Sequence, residues 1–399
     1  MAKSIFIIMI IMVLLGCIIS SSEGGPTTTT YNVVSFGAVG DGKTDSTKAF
    51  LGAWSKACGS VTRAVIYVPQ GRFFVKSVNF NGNNCKNNAI SFQIVGTLVA
   101  PSDYRIIGNS GNWIIFEDVN GVSFNGGVLD GQGTGLWNCK NSGNNCPIGA
   151  TTLQFSNSKN IKIAGVTSLN SQMFHIVIHS CNNVKIQGVK VTASETSPNT
   201  DGIHVQQSSA VTILNSKIGT GDDCISIGPG TTNLWIENIS CGPGHGISIG
   251  SLGKELKEPG VQNVTVKTVS FKQTQNGLRI KSWGRPSNGF AKDILFQHAV
   301  MVNVENPILI DQNYCPDQKG CPGQVSGVEI SNVSYQDVHG SSATEVAVNF
   351  DCSSKNPCSG IKLQDVKLTY NNNNKAAVAS CAHADGSAYG LVQPSSCLL

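Results

Sequence analysis

Charge is scarce in this chain. Asp, Glu, Lys and Arg make up 13% of its 399 residues, about half the usual share. So little charge argues against helical bundles and against disorder. No run of Lys and Arg with interleaved aromatics is present to line a nucleic-acid groove. The net charge of +4 is too mild and dispersed to change that, so nucleic acid is excluded as a partner. A slightly basic surface still suits an anionic polymer. No CxxC pair has a partner histidine at metal-site spacing, which disfavours zinc. A second long apolar run is also missing. What the chain has instead is glycine, 44 residues of it, as a repetitive β protein with many tight turns requires.

The one long apolar run, Ile5 to Ile19, follows Lys3 and precedes Ser20, Ser21 and Ser22. It is short for a membrane span and matches a signal-peptide core followed by small residues for cleavage. Residues 1–22 are therefore expected to be a signal peptide. Residues 23–399 are expected to form one secreted domain, extracellular or in the cell wall, monomeric and free of membrane segments.

There are 14 cysteines. Loss of Cys17 with the signal leaves an odd number, so at least one thiol stays free. Close spacing suggests the pairs Cys58–Cys85, Cys139–Cys146, Cys224–Cys241, Cys315–Cys321, Cys352–Cys358 and Cys381–Cys397, which leaves Cys181 as a buried core thiol. Asn238, Asn263 and Asn332 each open an Asn-x-Ser/Thr sequon, consistent with glycosylation during secretion.

Tyr31 to Val39 reads as a strand and a turn. Asp45 to Cys58 then reads as a helix with Ala49, Phe50, Ala53, Trp54 and Ala57 on one face. An amphipathic helix of this kind can cover the open end of a solenoid core. From about residue 90 the pattern changes to short alternating strands led by Asn or Gly: Asn160-Ile-Lys-Ile, Asn183-Val-Lys-Ile, Asn233-Leu-Trp-Ile, Asn263-Val-Thr-Val and Gly360-Ile-Lys-Leu. Ala210-Val-Thr-Ile and Asp293-Ile-Leu-Phe fill the gaps, at the spacing of solenoid coils. A second strand recurs in each coil: His175-Ile-Val-Ile, Gly202-Ile-His-Val, Cys224-Ile-Ser-Ile, Gly246-Ile-Ser-Ile, Gly277-Leu-Arg-Ile and Pro307-Ile-Leu-Ile. The expected fold is all-β, a right-handed parallel β-helix with a short N-terminal capping helix. The leading Asn residues are expected to form turns and ladders.

If the second set stacks, Ile203 and Val205 point inward. The residues preceding each tetrad also stack: Asp201, Asp223, His245, Asn276 and Asn306. The outward positions carry His204, Ser226, Ser248 and Arg279, and one step further Gln206, Gly228, Gly250, Lys281 and Asp311. Adjacent strands lie about 4.8 Å apart, so carboxylates, an imidazole, a guanidinium and an ammonium converge on one face. His204 suits cleft lining and structure equally, and His175 and His179 are given no role. Strict alternation would put Asp222 and Asp223 on opposite faces; Gly221 is expected to permit a bend that brings both into one cleft.

Glycosidic hydrolysis needs an acid for the leaving oxygen and a carboxylate for the water. Asp201, Asp222 and Asp223 supply candidates, and crowding should raise at least one of their pKa values. Asn199-Thr200-Asp201, Gly221-Asp222-Asp223-Cys224, Gly244-His245-Gly246 and Arg279-Ile280-Lys281, in this order and spacing, resemble the four signature motifs of the polygalacturonases, glycoside hydrolase family 28. The likeness runs from Ser35-Phe36-Gly37-Ala38 to the C-terminal cysteines. Gly244 to Gly253 looks most like the plant pollen-type exopolygalacturonases. The resemblance implies Asp222 as general acid, Asp201 and Asp223 as the pair that holds and deprotonates water, and His245 as their helper. It implies Arg279 and Lys281 as binders of substrate carboxylates and matches Tyr314 more loosely to a substrate-binding tyrosine. It also implies an inverting, metal-free reaction on polygalacturonate that needs no cofactor, exo-acting by closest likeness. Stacking brings Asp201 and Asp223 nearer than the roughly 6.5–9.5 Å usual for an inverting pair, which fits two carboxylates sharing one water. Competing readings are endo action, a rhamnogalacturonan or xylogalacturonan hydrolase, a calcium-dependent pectate lyase, and a non-catalytic pectin-binding β-helix.

Overall fold

The computed structural model describes residues 28–316, 319–370 and 376–399; the expected signal peptide lies outside them. Short strands joined by sharp corners wind into stacked coils, giving a right-handed parallel β-helix. Among the described residues the strands form two parallel ladders, of 17 and 11 strands. The 11-stranded ladder carries the polar residues of interest. Its register runs Ile203 to Ile225 to Ile247 to Leu278 to Ile308. All five are fully buried, as are Val205, Ile227, Ile249, Ile280 and Ile310 two residues on. Alternation along each strand therefore sends one row inward and the next row out. Burying each such side chain contributes about 1.5–3 kcal/mol, and Ile225→Ala would cost about 2–5 kcal/mol.

The corners follow from asparagine chemistry. Asn160, Asn183, Asn233, Asn263 and Asn332 all have φ between 54° and 58°, a left-handed conformation that Asn adopts more readily than most residues. Their amides form ladders: Asn183 Nδ2 donates to Asn160 Oδ1 and Asn263 Nδ2 to Asn233 Oδ1, both at 2.7 Å. Asp293 and Ala210 hold the same corner in their coils, each at φ 55°. The sequon residues Asn238, Asn263 and Asn332 are exposed at such corners, and each amide donates within a ladder.

The helix spans Thr47–Gly59 and buries Ala49, Phe50, Ala53, Trp54 and Ala57, the five residues expected. Trp54 packs on Phe80, Phe92 and Phe116 at ring-centroid distances of 5.4, 6.1 and 5.8 Å. It thereby closes the N-terminal end of the core. All six expected disulfides are formed. Cys181 is free and buried, and burial pushes its thiol up to about 11. Among the described residues no helix is long and apolar enough to cross a membrane.

Four details differ from the sequence reading. The solenoid begins well before residue 90, because Arg63–Val68 already pairs with Thr28–Asn32 and with Ile90–Val99; those coils lack the Asn-led tetrad. A coil led by Asn332-Val-Ser-Tyr pairs beside the one led by Asp293. The repeat pattern does not announce it, because the two starts are 39 residues apart. A bulge between Ile249 and Leu252 takes Gly250 out of the row containing Lys281. A second helix, Thr134–Asn141, buries Leu136 and Trp137, and the Trp137 indole N–H donates to Ser171 O at 3.0 Å.

Candidate active site

Three consecutive turns of the 11-stranded ladder deliver the three aspartates and His245. Asp201 precedes strand Ile203–Gln206, Asp222 and Asp223 precede Ile225–Ile227, and His245 precedes Ile247–Leu252. Backbone hydrogen bonds lock the turns together: Gly202 N–H to Asp223 O at 2.9 Å, Cys224 N–H to Gly246 O at 2.7 Å, His245 N–H to Asp222 O at 2.8 Å. Strand alternation does not govern Asp222 and Asp223, since both lie in the turn. Threonine hydroxyls shape it, with Thr200 Oγ1 accepting from Gly221 N–H and Thr220 Oγ1 from Asp222 N–H. Gly221 is needed for clearance rather than for a left-handed φ, because a Cβ there would strike the Ser197 backbone.

Asp223 is 1% exposed and fully engaged. Ser248 Oγ and Arg279 Nη2 donate to its Oδ1, and Lys281 Nζ to its Oδ2, each at 2.8 Å. Arg279 Nε also donates to Ser248 Oγ at 2.8 Å. Burial alone would raise this carboxyl, but Lys281 and Arg279 overcome it and hold Asp223 at about 2. Asp201 goes the other way: burial first, then the charges of Asp222 and Asp223, push it well above the usual carboxylate range. Asp222 is half-buried, and its Oδ1 accepts from Asp223 N–H at 2.8 Å and faces His245 Nδ1 at 3.2 Å. The cluster therefore combines a carboxylate locked in its charged form with a neighbour that favours its proton.

A cleft runs past these groups in two parts. One, of about 1000 Å³, is lined by Asp222, His245, Asn276, Arg279 and Tyr314. The other, of about 600 Å³, is lined by Asp201, His204, Gln206, Asp223 and Lys254. Asn199, Asp222, Lys281 and Tyr314 line both, so Asp222 stands at their junction. The Tyr314 ring centroid lies 5.1 Å from Lys281 Nζ and 6.0 Å from Arg279 Cζ. Arg279 and Lys281 reach the cleft, but they are each 7% exposed and bound to Asp223. With one anion between two cations, the group keeps one excess positive charge.

Asp222, Asp223 and His245 offer atoms within 4.8 Å of one another, a spacing that a metal ion could use. The chemistry opposes it: both Asp223 oxygens are already occupied, and two cations stand beside them. The sequence puts Ser248 in the outward row between Ser226 and Arg279 without giving it a role, and it does not single out the segment Lys254 to Glu258. The segment carries no repeat signal; it is folded around the Glu258 carboxylate, which accepts from the backbone N–H groups of Gly253, Lys254 and Glu255.

Residues 58–389 match the sequence model of the Glycosyl hydrolases family 28. The chain belongs to that family. It is a glycoside hydrolase of the polygalacturonase type. A polygalacturonase of Prunus persica is 68% identical to this family 28 hydrolase over 397 residues, covering 99% of each chain. An exopolygalacturonase of Zea mays is 40% identical over 383 residues, 95% of this chain and 92% of that one. Among solved structures, an exopolygalacturonase from Thermotoga maritima superposes with a TM-score of 0.74 at 20% identity, covering 91% of this chain and 92% of that one. At that identity the superposition speaks for the fold.

Proposed function

We propose that this hydrolase is secreted and cleaves the α-1,4-galacturonosyl bonds of polygalacturonate in pectin. The observation that carries the reading is Asp222 at the junction of a two-part cleft, beside Asp201, Asp223 and two cations. A polymer lying through both parts has its glycosidic bond at Asp222. Asp222 protonates the leaving oxygen, assisted by His245 at 3.2 Å. Water held between Asp201 and Asp223 attacks the anomeric carbon from the opposite face. The carbon–oxygen bond to the leaving sugar breaks with inversion, and the water's second proton goes to a carboxylate. Asp223, held at about 2, is a weak base, so Asp201 takes that proton. Arg279, Lys281 and Tyr314 receive substrate carboxylates and sugar faces, drawing on the excess positive charge.

Exo action, releasing galacturonate, is supported by the 40% identical exopolygalacturonase. Secretion is supported by the N-terminal run and by six disulfides, which persist in oxidising compartments. Glycans are assigned to Asn238, Asn263 and Asn332; a glycosylated amide keeps one hydrogen, enough for its ladder bond, and mass before and after glycan removal counts them. The deciding experiment is product sizing on polygalacturonate, with and without chelator. Galacturonate from the first minutes supports the proposal. A ladder of oligomers means endo action, chelator-sensitive unsaturated ends mean a lyase, and binding without cleavage means a pectin-binding protein.

A further inference from the structure

Lys254 and Tyr314 both line the smaller part of the cleft, and a continuous set of contacts joins them. The Lys254 carbonyl accepts from Arg285 Nη1 at 3.1 Å. The Arg285 guanidinium carbon lies 5.4 Å from the centroid of the Trp283 ring. Trp283 in turn meets Tyr314 nearly edge-on, with ring centroids 5.5 Å apart and 71° between planes. The two aromatics are register partners on the neighbouring strands Asn276–Trp283 and Asn306–Tyr314. From Tyr314 the contacts reach the ion cluster, because its ring lies 5.1 Å from Lys281 Nζ, which donates to Asp223 at 2.8 Å. Arg285 and Trp283 line neither part of the cleft, so they act on a bound polymer only through the residues they hold.

These contacts are of a kind that fixes placement. A guanidinium is attracted to the electron-rich face of an indole, and the electropositive edge of one ring to the face of another. The Trp283 indole N–H and the Arg285 Nε–H have no hydrogen-bond partner among the described residues, so the ring face and the single Nη1 bond carry the join. Glu258 does a different task. Its carboxylate gathers the backbone N–H groups of Gly253, Lys254 and Glu255, which shapes the segment from within. Arg285 reaches that segment from the end of another strand and ties it to Tyr314. We propose that Arg285 is a positioning residue for the polymer: stacked on Trp283, it braces the Lys254 wall against Tyr314 and so sets the width of the smaller part of the cleft, where a galacturonate unit lies.

This inference rests on polygalacturonate lying through both cleft parts against Tyr314. It is tested by kcat and KM on polygalacturonate for wild type, Arg285→Ala, Trp283→Leu, the double variant and Tyr314→Ala, with Tm measured for each. Arg285→Ala should raise KM by about 3- to 10-fold and leave kcat within about twofold, since the brace acts on binding and not on the reacting bond. Trp283→Leu should raise KM in the same way, and the double variant should do so no further than the worse single one, because one path carries both effects. Trp283→Phe keeps an aromatic face for the guanidinium; its KM should return most of the way to wild type, and it serves as the test if the leucine variant misfolds. An unmoved KM in Arg285→Ala, with or without a lower Tm, overturns the proposal, as do a fall in kcat alone and additive effects in the double variant. Tyr314→Ala separates the two levels. If its KM stays at the wild-type value, the substrate reading at Tyr314 fails and the brace with it; if its KM rises while that of Arg285→Ala does not, only the brace fails.

Discussion

Replacing Asp223 by Asn would remove one negative charge from an almost closed site. In the native protein its two oxygens accept three hydrogen bonds at 2.8 Å, from Ser248, Arg279 and Lys281. The amide keeps the outline, but one of its ends turns hydrogens toward a cation. Arg279 and Lys281, each 7% exposed, would lose their anion. Breaking a buried pair by removing one partner costs about 3–5 kcal/mol. Thermal melts near neutral pH should therefore place Asp223→Asn several degrees below wild type, while Asp222→Asn, half-buried and outside the ion cluster, should stay close. The difference should depend on pH with a defined sign. Asp223 is depressed to about 2 in the folded state, so it adds stability above the unfolded carboxylate range and loses it as pH falls from about 4 toward 2. Asp201, raised in the folded state, has the opposite sign: its contribution is present below the unfolded value and is lost as pH rises through the folded one. Equal melting temperatures for Asp223→Asn and wild type at neutral pH would refute the view that this carboxylate holds the two cations in place.

Arg279→Ala and Lys281→Ala should each raise KM for polygalacturonate by about 10- to 150-fold, the worth of one charge-assisted contact; fully methyl-esterified pectin cut as fast as polygalacturonate would contradict a carboxylate-reading role. Activity should follow a bell-shaped pH curve with an acidic optimum, because the carboxyl cluster must hold one proton while its other members stay ionised; a flat profile through pH 9 would rule this out. Glu258→Ala should release the segment Lys254 to Glu258, read as faster limited proteolysis there and weaker substrate binding with the melting temperature little changed. Unaltered cleavage and binding would show that the Glu258 contacts do not shape the cleft wall.

The regular part of this molecule was legible because each coil repeats one physical solution. Asn at the corners and alternating Ile and Val predicted the register that places Ile203 against Ile225 and Ile247. The same register places Asp201, Asp223, His245, Arg279 and Lys281 on neighbouring coils. What stayed hidden was irregular or relational. The coil led by Asn332 was masked by a long insertion, and the bulge after Ile249 is a local departure that a period cannot announce. Outward position said that Arg279 and Lys281 face the cleft, but not that Asp223 already holds both. Gly221 was expected to supply flexibility, whereas the close approach of Ser197, distant by one coil, is what requires it.

The central claim is that Asp222 delivers the proton that frees the leaving sugar. Asp222→Asn keeps the shape of the side chain and removes that proton. Reducing-end release from polygalacturonate should fall by about 10²–10⁴-fold, with substrate binding and melting temperature close to wild type. Activity near wild type in this variant would contradict the assignment.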